Sequence, residues 1–574
     1  MKIEQVHIQK FRSIDDATIY FNQVLAIVGA NNVGKSHVLR ALNAFFNYLD
    51  ELEGFKEQDH AFSLKSRPKI TITFSDVKEK DCIPLEYISN GKLTVRFSYR
   101  WDRKAPSYEV IIDNEQKTIS ADIFESLMRS FRFIYVPIIR NSDVTFSSED
   151  SVSYVLLSTI LRQQIAKRNT LQPIVNTLYR KIEDTVFKSA IQRIKRYYPF
   201  NDNSNFKFRI SNDDPIDSII HNVTLELIEH TQHNSIKNCG SGIQSAIYFA
   251  IMLATTMDSD MSCMIGIEEP ELNMHPQAQR ELISSIQNKT QYPNSQFVIT
   301  THSTVIIDHL GHQSVVLCRK NKGKTRDIVT TITQVGKDFW EKYQIKEDRY
   351  NNFFEYKNSD FFFSDYVIIT ESPVDCGILS YVFEKHHINS AESGITFIPI
   401  NGEKNIKYPY SIAKELGIPF FCVVDRDVFQ PYTNNIRKDS IDANGLPTYR
   451  EELKTSAPIC GLLSAEDKAT LLKLLIANKY DDVCSLLDKY RIITFRYAIE
   501  VDLIACQSYC SAFCDILNLS EDNRTAKYLA EKRSDAIKKI ETIRDVLDMT
   551  SIRNLPSAYK QIIRKTRELL QYSI

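Results

Sequence analysis

The sequence predicts an α/β protein in two parts. A nucleotide-binding domain with an annexed β-sheet and a helical insert comes first, and a second α/β domain with a helical C-terminal extension follows. Three observations predict it. The octapeptide Gly29-Ala30-Asn31-Asn32-Val33-Gly34-Lys35-Ser36 lies between an apolar run at 24–28 and a helical pattern at 37–42, the strand–loop–helix setting of a phosphate-binding loop. Another apolar run, 264–267, ends in Glu268-Glu269-Pro270-Glu271. Two more, 367–370 and 420–424, end in acids about fifty residues apart.

With 574 residues the chain has room for two or three domains, each with its own core. Its 43% hydrophobic and 25% charged content is ordinary for a globular protein. A net charge of −1 excludes bulk attraction to nucleic acid or membrane, so any such surface must be local. Met1-Lys2-Ile3-Glu4 lacks the apolar core of a signal peptide. The longest apolar stretch, 248–257, is about half of what spans a bilayer. The expected location is cytoplasmic, without membrane contact. Eleven cysteines without a paired framework fit a reducing compartment. Cys506, Cys510 and Cys514 recur every fourth residue and read as core rather than as metal ligands.

The elements follow in order. Residues 1–50 read strand, turn, strand, phosphate loop, helix. Runs at 69–74, 93–98 and 108–112 read as an antiparallel sheet annexed to the nucleotide domain, and 133–138 is a further strand. From 152 to 197 apolar residues recur at threes and fours, which predicts a helical insert, either a dimerisation hairpin or a plain cap. Strands return at 223–228, 264–267 and 296–300, with a helix at 243–256. These belong to a first domain at 1–345. The aromatic run 353–363 reads as a packed hinge. A second domain, 346–574, alternates strand and helix from 366 to 430, then is mostly helical to an amphipathic run at 558–570.

A phosphate loop needs glycine where the backbone wraps closely round phosphate oxygens, here Gly29 and Gly34, with Asn32 in the same turn. Lys35 would reach the β- and γ-phosphates of ATP and Ser36 would hold Mg²⁺, while N–H groups of the next helix face the anion. Glu268 would complete the Mg²⁺ shell and Glu269 polarise the attacking water. His302, after the strand 296–300, would sit at the γ-phosphate.

These motifs, with Cys239-Gly240-Ser241-Gly242-Ile243-Gln244 between them and Lys10-Phe11-Arg12-Ser13-Ile14 at the start, resemble the ABC-type ATPases of the RecF, structural-maintenance-of-chromosomes and OLD (overcoming lysogenisation defect) group. The resemblance implies that Ser241, Gly242 and Gln244 reach the nucleotide of a second subunit. A homodimer with two shared ATP sites follows, with a tetramer as the larger option. Ile243 stands where relatives have a second glycine.

In the second domain, Glu371 ends one strand and Asp375 lies where a helix should begin. Alternation along an extended chain turns Asp425 and Asp427 to one side. Acids gathered at the C-terminal edge of a parallel sheet repel and lose hydration, so they call for Mg²⁺ or Mn²⁺. A pair of such ions can clamp the oxygens of a phosphodiester displacement.

With Asn401-Gly402-Glu403-Lys404-Asn405 between them, these four acids resemble a Toprim domain, although Ser372 replaces the usual glycine. An ABC-type ATPase followed by Toprim is the OLD-family arrangement, which includes the nuclease subunit of Gabija anti-phage systems. The resemblance covers nearly the whole chain. It implies an ATP-regulated, metal-dependent DNA endonuclease. Glu371, Asp375, Asp425, Asp427, Glu500 and Asp502 would hold metal, Glu371 being also the candidate base, and Lys532 would stabilise charge on the scissile phosphate. Phage defence, a duplex DNA substrate and a helicase-like or other defence partner follow from the same resemblance. A RecF-like clamp without nuclease activity and a Toprim nuclease acting on RNA such as tRNA are the alternatives. Basic runs at 188–198 and 319–326 offer phosphate-tracking surfaces, though such runs are more often solvated faces.

Overall fold

A computed structural model describes residues 1–55, 67–78, 81, 83–100, 105–113, 115–119, 121–138, 183–198, 204–210, 223–229, 231–256, 262–288, 294–322, 328–345, 358–454 and 456–571. The chain divides into two compact units, Met1–Gln334 and Val335–Ile574.

The first unit is built on β1 (Lys2–Phe11), β2 (Ile14–Tyr20), β3 (Val24–Val28), β4 (Lys69–Ser75), β5 (Leu93–Arg100), β6 (Ala105–Ile112), β7 (Glu115–Thr118) and β8 (Phe131–Val136). After a small antiparallel sheet of β9 (Ser204–Ile210), β10 (Val223–Glu229) and β11 (Gln232–Ser235) come β12 (Ser262–Glu268), β13 (Ser295–Thr300), β14 (Val315–Asn321) and β15 (Val329–Gln334). Twelve of these form one sheet in the order β7-β6-β5-β4-β1-β2-β15-β14-β3-β13-β12-β8. From β14 to β8 it is parallel; from β7 to β2 it is antiparallel. The residue patterns explain the division. β3, β12 and β13 are buried at every position, as strands covered on both faces must be. β4 and β5 bury alternate residues, as strands with one wetter face do. The annexed sheet is thus an extension of the nucleotide sheet itself.

A hydroxyl knot fastens the two halves behind the phosphate loop. Ser13 Oγ lies 2.7 Å from His37 Nδ1 and 2.6 Å from Thr330 Oγ1, and Thr330 Oγ1 donates to the Val33 carbonyl at 2.7 Å. Of the insert expected at 152–197, residues 152–182 lie outside the described residues. The remainder is a helical turn, Glu183–Phe187, and the helix Lys188–Tyr197. Of the aromatic run, 353–357 lie outside them, and Asn358–Phe363 is a helical turn whose Phe361 and Phe362 are buried.

The second unit carries a parallel sheet in the order β17-β16-β18-β19, made of β16 (Tyr366–Thr370), β17 (Ile395–Pro399), β18 (Phe420–Val424) and β19 (Ile492–Thr494). From β16 the chain crosses to β17 on one side, then returns to β18 on the other. The order reverses between β16 and β18, and a crevice opens at such a point beyond the strands' C-terminal ends. Tyr509, Phe513 and Tyr559 fill the core beneath, and Cys514 is wholly buried with them. Burial pushes the Cys510 thiol up to about 12, which suits the expected core role of the cysteine row.

Candidate functional site

Gly29 and Gly34 form the phosphate loop with φ of 146° and 100°. A Cβ at Gly29 would stand 2.3 Å from the Cys318 carbonyl, and one at Gly34 would stand 2.4 Å from Thr330 Oγ1. Both positions require glycine. Lys35 begins the helix Lys35–Phe46, and its Nζ donates to the Gly29 and Ala30 carbonyls at 3.2 and 2.9 Å. Burial lowers its pKa, while Glu269 and Glu271 oppose the shift.

β13 lies between β3 and β12, so the loops that end all three strands meet. Glu269 takes a left-handed φ of 44° just past β12, a strained conformation of the kind that functional sites hold. His302 Nε2 is 3.7 Å from Glu269 Oε1, and the His302 N–H donates to Glu271 Oε1 at 2.6 Å. Burial, then the Lys35 charge, holds the His302 pKa below its usual value, and Glu269 opposes the shift. Glu268 is 8% exposed, and its Oε1 has no hydrogen-bond partner among the described residues. A buried, unpartnered carboxylate oxygen suits a hard cation. Ser36 is half-buried in the first turn of the same helix, and Asn32 is exposed with φ of 59°. Ser241 opens the helix Ser241–Thr256. Gly242 has no room for a Cβ against the Asn273 carbonyl at 2.5 Å. Gln244 is turned inward, donating to the Ile236 and Cys239 carbonyls at 3.0 Å each.

In the second unit, β16 and β18 deliver Glu371 and Asp425 to either side of the switch point. Glu371 Oε1 accepts the Asp425 N–H at 2.6 Å. Asp375 forms a capping box with Ser372: its Oδ2 accepts the Ser372 N–H at 2.9 Å, and Ser372 Oγ accepts the Asp375 N–H at 3.2 Å. Ser372 is therefore the N-cap of the helix Pro373–Lys385, a role glycine fills less well. The turn after β17 returns its Gly402 N–H to the Glu371 carbonyl at 3.1 Å.

Every one of these acids is lifted above its usual range, first by burial and then by its neighbours' charge. Glu371 is pushed up to about 8 with Asp427, Asp375 and Glu403 contributing. Asp375 is pushed up to about 6, with Glu500 contributing. Asp425 is raised well above normal with Glu371, Glu500, Asp375 and Asp427 around it, and Asp427 is raised as well. This is an all-oxygen donor set short of counter-charge, which fits a hard divalent ion. Among the described residues no three such side chains already hold metal-ligand geometry. Glu371, Asp375 and Asp425 each point one oxygen at a backbone N–H, those of Asp425, Ser372 and Ile499 in turn.

The structure differs from the sequence reading at three places. Arg426–Val428 is a 3-10 turn, so Asp427 is carried by that turn and not by strand alternation. Arg426 is held inward, on Gln430, the Leu475 carbonyl and the Tyr449 ring. Glu500 and Asp502 lie on a helix, Ile499–Ile504, where a two-residue step turns side chains about 200° apart. Glu500 faces Asp425 and Asp375, whereas Asp502 accepts the Arg496 and Tyr497 N–H groups at 2.9 and 2.8 Å. Lys532 is exposed, whereas Lys538 stands 3.7 Å from Glu500 and Lys454 is close enough to act on the Asp427 charge. The basic helix Lys188–Tyr197 has Arg193 half-exposed and Lys195 and Arg196 exposed, but 323–326 of the other basic run lie outside the described residues.

A family model described as an AAA domain of the AbiEii toxin, type IV TA system kind, matches residues 24–308. One described as the Toprim domain of overcoming-lysogenization-defect-like proteins matches residues 362–427. The chain joins an ATPase domain to an OLD-like Toprim domain. It is 22% identical over 489 residues to Endonuclease GajA of Bacillus cereus (strain HuB5-5), covering 70% of each chain. It is 21% identical to the OLD nuclease of Thermus scotoductus (strain ATCC 700910 / SA-01), across 74% of this chain and 82% of that one. With the Old nuclease of Escherichia phage P2 it shares 22% identity over 84% and 87% of the two chains. A solved Smc head bound to the C-winged helix domain of ScpA covers 58% of this chain at a TM-score of 0.41 and 15% identity, too distant to carry an argument. This OLD-like domain pair implies nucleotide binding and use of a divalent metal. Among the described residues no helix is long and apolar enough to cross a membrane.

Proposed function

We propose that the protein is an ATP-regulated, divalent-metal-dependent DNA endonuclease acting in defence against phage. The observation that carries this reading is the group of Glu371, Asp375, Asp425 and Asp427 at the switch point, each raised in pKa by burial and by its neighbours. Relatives named as nucleases over most of their length support it. Bound among these acids, Mg²⁺ or Mn²⁺ would supply Lewis-acid polarisation of the phosphodiester. With metal bound and its carboxyl ionised, Glu371 would accept the proton of the attacking water. Hydrolysis adds that water across one P–O ester bond and leaves a phosphate monoester and a hydroxyl. In the first unit Lys35 and Ser36 hold ATP, Glu268 its cation, and Glu269 with His302 the hydrolytic water. Ser241 and Gly242 act on the nucleotide of a second copy, which makes a homodimer the working unit, whereas Gln244 is engaged with the Ile236 and Cys239 carbonyls of its own chain.

The test is cleavage of supercoiled plasmid, with tRNA in parallel, in Mg²⁺ or Mn²⁺ and with or without ATP. Nicked or linear plasmid that appears with metal and changes in yield with ATP is expected. Intact plasmid beside cut tRNA would move the substrate to RNA. Intact plasmid and intact tRNA in every condition would leave an ATP-driven clamp.

A further inference from the structure

The segment between β18 and the helix Ala465–Ile476 brings a cation to the acidic site that the reading above does not use. Its strands touch at the bridges Tyr432↔Tyr449 and Ile441↔Pro447. The two tyrosine rings stack at 5.3 Å, so the segment is a braced arm. Near its turn sits Arg437. Its Nη1 donates to Glu500 Oε1, and its side chain is 15% exposed. Its other amino group, Nη2, is buried without a hydrogen-bond partner. Asp425, Asp427, Glu500 and Tyr432 surround the guanidinium closely enough to act on its charge or feel it.

Charge is unevenly distributed within this site. Glu500 is flanked by two cations, Arg437 and Lys538. Among the described residues no cation makes an ion pair with Glu371, Asp375, Asp425 or Asp427. Four acids without a direct ion pair suit metal. A fifth, already neutralised, suits holding a guanidinium in place. A guanidinium is a rigid planar fork, so fixing one edge on a carboxylate aims the other edge in a defined direction. A buried N–H without an acceptor is costly, more so on a charged group, and an anionic phosphodiester oxygen is a strong acceptor for such a fork.

We propose that Arg437 is a substrate-contacting residue of this site: its Nη2 edge takes a non-bridging oxygen of the scissile phosphodiester, and Glu500 anchors the guanidinium instead of joining the metal-holding set. This rests on the nuclease reading. It predicts a contact that a merely structural ion pair would not make.

The test pairs a side-chain change with a change of one substrate atom. Duplex oligonucleotides carrying a single phosphorothioate at the mapped cleavage position, as separated diastereomers, are cut under single-turnover conditions in Mg²⁺ and in Mn²⁺. For the wild type, one diastereomer should be slowed about tenfold without recovery in Mn²⁺, because a guanidinium and not a metal contacts that atom. Arg437→Lys and Arg437→Gln should cut the native oligonucleotide about 10-fold and ~10²–10³-fold more slowly. In both variants that thio effect should shrink below about threefold. A thio effect unchanged in the variants overturns the proposal. Since removing Arg437 alone strands the Glu500 charge, Arg437→Gln/Glu500→Gln repeats the test without a buried unpaired carboxylate. This double variant should keep the wild-type shift in melting temperature on adding Mn²⁺, and loss of that shift would return Glu500 to the metal set. Failure of the wild type to cut any nucleic acid would instead overturn the nuclease reading itself.

Discussion

Asp425→Asn should stabilise the metal-free second unit while abolishing its function. Asp425 is set among Glu371, Glu500, Asp375 and Asp427, all of which raise its pKa. Two like charges ~5 Å apart at an effective dielectric of ~20 repel by about 3 kcal/mol. Proton sharing within the group discounts that to ~1–2 kcal/mol. The change keeps the local hydrogen bond, because Asp425 Oδ1 accepts the Ile499 N–H at 3.1 Å and an asparagine carbonyl can do the same. Asp425→Ala cannot, and orphaning that N–H costs about 1–3 kcal/mol. For a unit the size of Val335–Ile574, 1 kcal/mol moves the melting temperature by roughly 2–4 °C. Scanning calorimetry of the full chain at pH 8 in EDTA should place Asp425→Asn about 2–8 °C above wild type, with Asp425→Ala below Asp425→Asn. Neither variant should gain stability from Mn²⁺ or cut plasmid, and both should still bind ATP. A fall in melting temperature for Asp425→Asn, or wild-type cleavage by it, would refute the electrostatic account.

The pH dependence has a definite sign. Glu371 and Asp375 have folded pKa values raised to about 8 and about 6 from ordinary values of 4.5 and 3.8, so the folded chain binds more protons than the unfolded one between those limits. Stability in EDTA is therefore fully present below about pH 4 for these groups and lost as pH rises through 6 to 8. Mn²⁺ should then stabilise more at pH 8 than at pH 6, and equal shifts in a thermal melt would contradict the protonated cluster. Glu269→Gln should lower ATP turnover by ~10²–10⁴-fold while ATP affinity stays within about threefold, measured by steady-state hydrolysis and nucleotide titration. Ser372→Ala should cost about 1 kcal/mol through the lost cap, and Ser372→Gly only a few tenths; urea unfolding of the full chain followed in the second unit separates the two.

Local chemistry made the phosphate loop readable, because eight consecutive residues between a strand and a helix carry its whole geometry. The acids at the ends of β16 and β18 were readable for a related reason, since parallel strands present the same end to the same crevice. Arg437 was not. Its partner Glu500 lies 63 positions away, and no local period connects them. Glu500-Val501-Asp502 reads as a pair only if extended; on a helix the two carboxylates part, and Asp502 turns to the backbone of Arg496 and Tyr497. Lys532 and Lys538 stand six residues apart in one basic segment, and no local pattern tells which of them reaches Glu500. Ser372 looked like a departure from a glycine turn and is a helix cap.

The hydroxyl knot behind the phosphate loop makes that loop a mechanical joint as well as a grip. Val33 and His37 are tied through Thr330 and Ser13 to the seam where β15 meets β2 at Thr330 and Ile14. Force applied at the loop therefore has a load path into the antiparallel wing that avoids the hydrophobic interior. Cutting that path at Thr330 would leave the grip intact and disconnect what it drives.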